Sequence, residues 1–156
     1  MPADLTQDIL NSDVITLLTR AIPNPELIED ETADDSNKTF TVDSGEIWEI
    51  LWIYTELATT STVGNRHLTV RFTDASDDII FECHAKSEIV ANDANQFIWL
   101  TGISGHFSLG TNKFHMALPS KSFLPAGYKI QVLDKNAVDA AADDLIIHMM
   151  INRYDV

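Results

Sequence analysis

The side chains able to do chemistry are few: Ser104 within GISGH (102–106), a lone Cys83, histidines at 67, 84, 106, 115 and 148, and aspartates gathered in DASDD (74–78) and DKNAVDAAADD (134–144). A nucleophilic serine of the G-x-S-x-G kind sits on a strand-to-helix turn, and here His106 stands where the second glycine belongs. The stretch reads as a β-turn instead. The histidines form no H-x-H or H-E-x-x-H pair, the spacing that lets two imidazoles reach one metal. They are expected on the polar faces of strands. Cys83 and His84 are adjacent, and neighbours on a strand point to opposite sides, so Cys83 is expected to be a small core residue. The aspartates offer the hard oxygen ligands that calcium takes. Counted from Asp134, however, the EF-hand slot requiring glycine holds Asp139 and the closing slot requiring glutamate holds Leu145. Turn-forming aspartate is the commoner role, and calcium in these loops stays open. Without converging reactive groups the expectation is no catalytic residue, no cofactor and no metal ligand, hence not an enzyme.

Charge narrows the partners. Ten basic side chains stand against 24 acidic ones, for a net charge of −14. Nucleic-acid affinity is built from clustered Lys and Arg, and an anionic membrane surface repels such a chain; neither is an expected partner. No apolar run approaches the roughly 20 residues of a membrane span, and the first residues, MPADLTQDIL, lack the basic and apolar regions of a secretory signal. A single cysteine gives no internal disulfide framework, and synthesis in a reducing cytoplasm is the default. At 156 residues the chain suits one domain with a sizeable core.

The elements that must position these residues change character near residue 38. Residues 1–37 hold nine acids and one base, Arg20, a net of −8 that leaves −6 for the other 119 residues. Their apolar residues, Ile9, Leu10, Val14, Ile15, Leu17, Leu18 and Ile22, have no partner within the segment; IPNP (22–25) stops regular structure and EDETADDSN reads as a loop. This is an extended arm that must pack on something. From residue 38 to 156 the period is two: Leu68, Val70 and Phe72 alternate with Thr69, Arg71 and Thr73, and Leu145, Ile147, Met149 and Ile151 share one side of the last segment. About eight strands without amphipathic helices indicate an all-β antiparallel β-sandwich or jelly roll. One strand, GEIWEILWIYTELATT (45–60), is apolar on both faces. If Ile47, Leu51, Ile53 and Leu57 fill the core, then Trp48, Ile50, Trp52 and Tyr54 form an exposed patch of a size soluble proteins rarely tolerate. That patch is assigned to a neighbouring subunit or to the arm, since Trp and Tyr favour interfaces; the reverse assignment, aromatics inward, stays open.

An SG-x-x-W strand start at 44–48, TELATTSTVGNRHLTVRFTD (55–74), LPAGYKIQVLD (124–134) and DAAADDLIIHMMINRY (139–154) together resemble the small jelly-roll virion proteins of tailed bacteriophages. The resemblance covers roughly residues 42–154 and leaves the arm outside. It implies a non-enzymatic virion structural protein, foremost a capsid decoration or cement protein that binds and stabilises the assembled capsid as a homotrimer. The arm would contact the major capsid protein or other virion proteins. Such a protein is made in the host cytoplasm and ends on the capsid exterior. The alternative it implies is a tail or head-fibre module that binds a receptor or carbohydrate.

Overall fold

The computed structural model describes residues 22–32 and 35–156. Among the described residues eleven strands follow one another: β1 (Asn24–Asp30), β2 (Asn37–Thr41), β3 (Glu46–Ala58), β4 (Leu68–Thr73), β5 (Ile79–His84), β6 (Ala94–Thr101), β7 (Phe107–Gly110), β8 (Lys113–Leu118), β9 (Phe123–Pro125), β10 (Lys129–Asp134) and β11 (Asp144–Asp155). They form two sheets. The larger has the order β1-β11-β3-β6-β8-β7, with β9 beside the first half of β3, and the smaller has the order β2-β10-β4-β5. All neighbours run antiparallel except β6 and β8, which are parallel. Alternation builds the sandwich: Val70, Phe72, Ile130 and Val132 from the small sheet meet Phe97, Trp99, Ile147, Met149 and Ile151 from the large one in a single core.

Three of the eleven strands escape a periodicity reading. β7 and β9 have only four and three residues, too few to show a period. β1 lies inside the segment read from the sequence as arm and loop. It is an edge strand whose Ile28 alone packs against the core, so no alternation marks it. Pro25 is tolerated in β1 because an edge strand need not donate on its open side. Most of the expected arm residues, Ile9, Leu10, Val14, Ile15, Leu17 and Leu18, fall outside the described residues; Ile22 is described and is exposed. The DKNAVDAAADD stretch is an ordered loop of turns, without a helix.

The doubly apolar strand has a local explanation. Along β3, Trp52 pairs with Met150 of β11, but Ile50 pairs with the next residue, Ile151, so Leu51 is an extra residue without a partner. Such a bulge reverses the in-out alternation. Trp48 and Ile50 before it are buried, and after it Ile53, Thr55 and Leu57 are buried. Trp52, Tyr54 and Glu56 point outward, as do Ile47 and Glu49 on the other side of the bulge. The four residues Trp48, Ile50, Trp52 and Tyr54 therefore do not share a face. Trp48 and Ile50 belong to the core and are not available to another subunit, while Trp52 and Tyr54 are on the outer surface. The bulge sits where the other neighbour of β3 changes, from β6, which ends its pairing at Trp52, to β9, which begins at Glu49. Two contacts secure the changeover: Ser122 O accepts from Ile50 N at 3.1 Å, and Leu51 O accepts from Thr101 Oγ1 at 3.1 Å.

Candidate functional site

The loops joining β3 to β4 and β10 to β11 lock into each other at one end of the sandwich. Arg66 and Asp143 are both fully buried and form a two-pronged pair, Nε to Oδ2 at 2.7 Å and Nη2 to Oδ1 at 3.1 Å. The remaining donors of the guanidinium reach Thr62 O at 2.7 Å, Gly64 O at 2.8 Å and Thr60 Oγ1 at 3.2 Å. Asp143 Oδ1 also accepts from Thr60 N at 2.8 Å, and Asp139 Oδ2 accepts from the hydroxyls of Thr60 (2.6 Å) and Thr62 (2.7 Å). These hydroxyl bonds hold the Asp139 carboxyl below its usual range, and the bond to Asp143 raises the guanidinium further. Buried charge is tolerable only when paired and hydrogen-bonded in this way. Gly64 is required at the junction: its φ is +149°, and a Cβ there would lie 2.7 Å from Val138 Cγ1. Asp134, also buried, accepts from the backbone N–H of His67 (2.7 Å), Asn136 (3.0 Å) and Val138 (3.1 Å).

Asp134, Asp139 and Asp143, three of the aspartates weighed as calcium ligands, thus spend oxygens on amides, hydroxyls and an arginine. Asp74 does the same in its turn, accepting from Ser76 N at 2.8 Å and Asp78 N at 3.0 Å. Ser104 is exposed on the loop between β6 and β7. Cys83 is half-buried, its thiol pushed up by burial and directed at Ala117 O, 3.5 Å away. His84 and His67 lie with ring centres 5.1 Å apart, their planes tilted by 40°. His84 also accompanies Glu82, which bonds Arg71 at 2.7 Å and Lys135 at 2.7 Å. The Lys135 bond, with help from Arg71, keeps the Glu82 carboxyl below its usual range; burial and then Lys135 lower the His84 imidazole below 6.5. Among the described residues, one cluster has ligand-like spacing: His148, whose Nδ1 faces Glu29 at 3.5 Å and whose Nε2 faces Glu31 at 3.1 Å. Because each ring nitrogen faces a different carboxylate, the arrangement suits an ion pair.

The outer face of the large sheet carries an apolar surface. Register places Leu27, Met150, Trp52, Leu100 and Ala117 in one row across β1, β11, β3, β6 and β8, and Glu29, His148, Tyr54, Ile98 and His115 in the next. Side chains opposite one another on a sheet are neighbours. Trp52, Tyr54, Ile98, Leu100 and His148 enclose a shallow groove of about 360 Å3. The Tyr54 hydroxyl is 2.9 Å from Glu56 Oε2, and burial together with that bond pushes the phenol up to about 12. Glu56 Oε2 also accepts from Gln96 Nε2 at 2.9 Å. Tyr54, Glu56 and Gln96 are therefore engaged with one another, and the groove lining is mostly hydrocarbon. Sequence reasoning found Trp52 and Tyr54 but missed Ile98, Leu100 and His148, which come into contact with them only through strand pairing.

No family model matches the sequence, and no curated protein matches it. Among solved structures, a chain of the Bacillus endospore appendages, a family of disulfide-linked pili, is similar at 12% identity with a TM-score of 0.35, over 86% of this chain and 88% of that one. A chain of the T13 viral particle of infectious bursal disease virus is similar at 12% identity with a TM-score of 0.34. The alignment takes in 86% of this chain but 36% of the viral one, so the chain spans about a third of its length. An α-L-arabinofuranosidase is similar at 15% identity with a TM-score of 0.29, over 85% of this chain and 22% of that one.

Proposed function

We propose that this chain is a non-enzymatic virion structural protein, a capsid decoration protein that binds and stabilises an assembled capsid as a homotrimer. The observation that carries the reading is the interlock at the loop end. The GN-R turn and the DAAADD loop, two of the motifs that resemble phage jelly-roll virion proteins, are the segments joined by Arg66 and Asp143. The resemblance thus rests on residues that act together to build one part of the fold. Binding to the lattice is assigned to the arm and to exposed apolar surface, and no reactive constellation is needed for it. A ligand that binds the assembled state and not its parts shifts assembly by mass action, and several arms on one oligomer add their weak contacts.

The test uses particles stripped of the protein or assembled without it. Adding the protein back should raise their resistance to heat, and the effect should weaken as salt rises because the arm is acidic. Particles equally robust with and without it would defeat the reading. A second reading, a tail or head-fibre module for a receptor or carbohydrate, is favoured by the aromatic groove around Trp52. It expects glycan binding that Trp52→Ala abolishes.

A further inference from the structure

We infer that the cleft between the end of β5 and strands β7 and β8 is a binding site for a small carboxylate with an apolar body, held by Lys86, Ser87 and His106 over a floor of Phe114 and Met116. The cleft measures about 190 Å3, below the roughly 300–1,000 Å3 of drug-sized sites, so its occupant is small. Topology builds it. β5 and β8 belong to different sheets and approach each other where Cys83 Sγ lies 3.5 Å from Ala117 O. Lys86 and Ser87 follow β5, His106 precedes β7, and all three line the cleft with Phe114 and Met116 of β8. Met116 is buried in the core, and Phe114 packs against that core with its ring stacked on Phe97 at 5.2 Å. The floor is therefore fixed hydrocarbon.

Two observations set the sign of the ligand's charge. Although the chain carries a net −14, residues 94–133, which supply β6, β7, β8 and β9, contain no Asp or Glu at all. In addition, Lys38, Arg66, Arg71, Lys129, Lys135 and Arg153 each face a carboxylate at ion-pair distance, whereas Lys86 faces none among the described residues. The acid nearest to Lys86 in sequence, Glu88, accepts from Asn65 Nδ2 at 2.5 Å instead. The cleft thus offers an uncompensated ammonium, and complementary charge selects an anion. His106 adds a directed donor. Its Nδ1 lies 3.4 Å from Ala117 N, and since an amide nitrogen only donates, Nδ1 accepts and the ring proton sits on Nε2. The Ser87 hydroxyl, which has no bond among the described residues, is a third donor. A carboxylate has two oxygens to receive these groups, and an apolar body beside it covers the floor.

The inference concerns the chain alone and stands or falls independently of the virion reading. The experiment titrates the full-length protein with benzoate at constant pH and follows the imidazole resonances of His106 by NMR. Benzoate should move them saturably, and its affinity should fall as salt rises. Benzyl alcohol, of similar size but uncharged, should bind at least about tenfold more weakly, since a hydrogen bond to a charged group is worth about that factor, and benzylamine should not bind. Lys86→Gln, at an exposed position outside the core, should weaken benzoate by about tenfold. Lys121→Gln, which removes a base that does not line the cleft, should leave it unchanged. Resonances that never saturate with benzoate would overturn the inference. So would benzyl alcohol binding as tightly as benzoate, which would make the cleft an apolar pocket only, or Lys121→Gln costing as much as Lys86→Gln, which would reduce the effect to overall charge.

Discussion

The single residue on which most depends is Arg66. It is the largest charged side chain fully removed from solvent, and every donor group on it is spent on the two loops it joins. Removing one partner of such a pair strands the other charge in the interior, which costs about 3–5 kcal/mol. Arg66→Ala should therefore lower stability by about that much in chemical denaturation, and Asp143→Ala similarly, whereas the double variant should be less damaging than the sum. Additive losses would show that the pair is not coupled. His84 gives a second residue-scale expectation. Its folded value is depressed by burial and by Lys135, with smaller opposing help from Glu82 and further lowering by His67 and Arg71. The unfolded chain thus binds a proton more readily than the folded one below about pH 6.5, so stability is fully present above that value and is lost as pH falls toward the folded value. Glu82 and Asp139, both depressed, withdraw their contributions at lower pH still, as acid protonates them. Thermal melts should drop as pH falls below about 6.5, and His84→Gln should flatten that slope; an unchanged slope would assign it to other groups.

At the scale of elements, β3 decides which residues face water. Its bulge at Leu51 lets one strand send Trp48 and Ile50, then Ile53 and Leu57, into the same core. Deleting Leu51 would remove the bulge and leave Trp48, Ile50, Ile53, Thr55 and Leu57 in strict alternation on the inner side. The deletion should therefore keep a cooperative melt, and Leu51→Ala, which keeps the extra residue, should cost only about 1 kcal/mol. A deletion variant that loses its cooperative melt would show that the bulge itself is needed where the neighbour of β3 changes from β6 to β9. The same bulge marks what the sequence makes legible. Alternation in β4, β8, β10 and β11 is unbroken, and the sandwich class follows from it. In β3 a phase shift produces two apolar faces by count and one by structure, and only pairing with β11 reveals where the shift lies. β1 hides for a different reason, since an edge strand with one core contact carries no period. The groove was half visible: Trp52 and Tyr54 are neighbours in the chain, but Ile98 lies 44 residues beyond Tyr54 and joins it through register. The interlock was legible as loop composition, with its aspartates read as turn formers; the buried partner, Arg66, had no sequence signal beyond its place after Gly64-Asn65.

At the scale of the molecule, the open margin of the sandwich is where the proposed association can be tested. β5 ends the small sheet and β7 ends the large one, and Cys83 Sγ lying 3.5 Å from Ala117 O shows that β5 stands against β8, next to β7. The two open edges therefore form one margin. It exposes Ile79, Ile80, Phe107 and Leu109, each more than half accessible. Edge strands with unpaired backbone groups and apolar side chains are templates for joining another chain, and soluble proteins cover such edges or use them. The net charge of −14 opposes indiscriminate aggregation, which favours a closed assembly over an open one. Closed rotational symmetry satisfies identical margins with a fixed number of copies, three in the function proposed above. Light scattering at micromolar concentration should return three times the chain mass. Ile80→Lys with Phe107→Lys should return the monomer with the circular dichroism of the sandwich intact, because neither side chain is buried in the core. A monomer from the unmodified chain would remove the trimer from the proposal. A trimer that survives both lysines would move its interface away from this margin, to the outer face around Trp52.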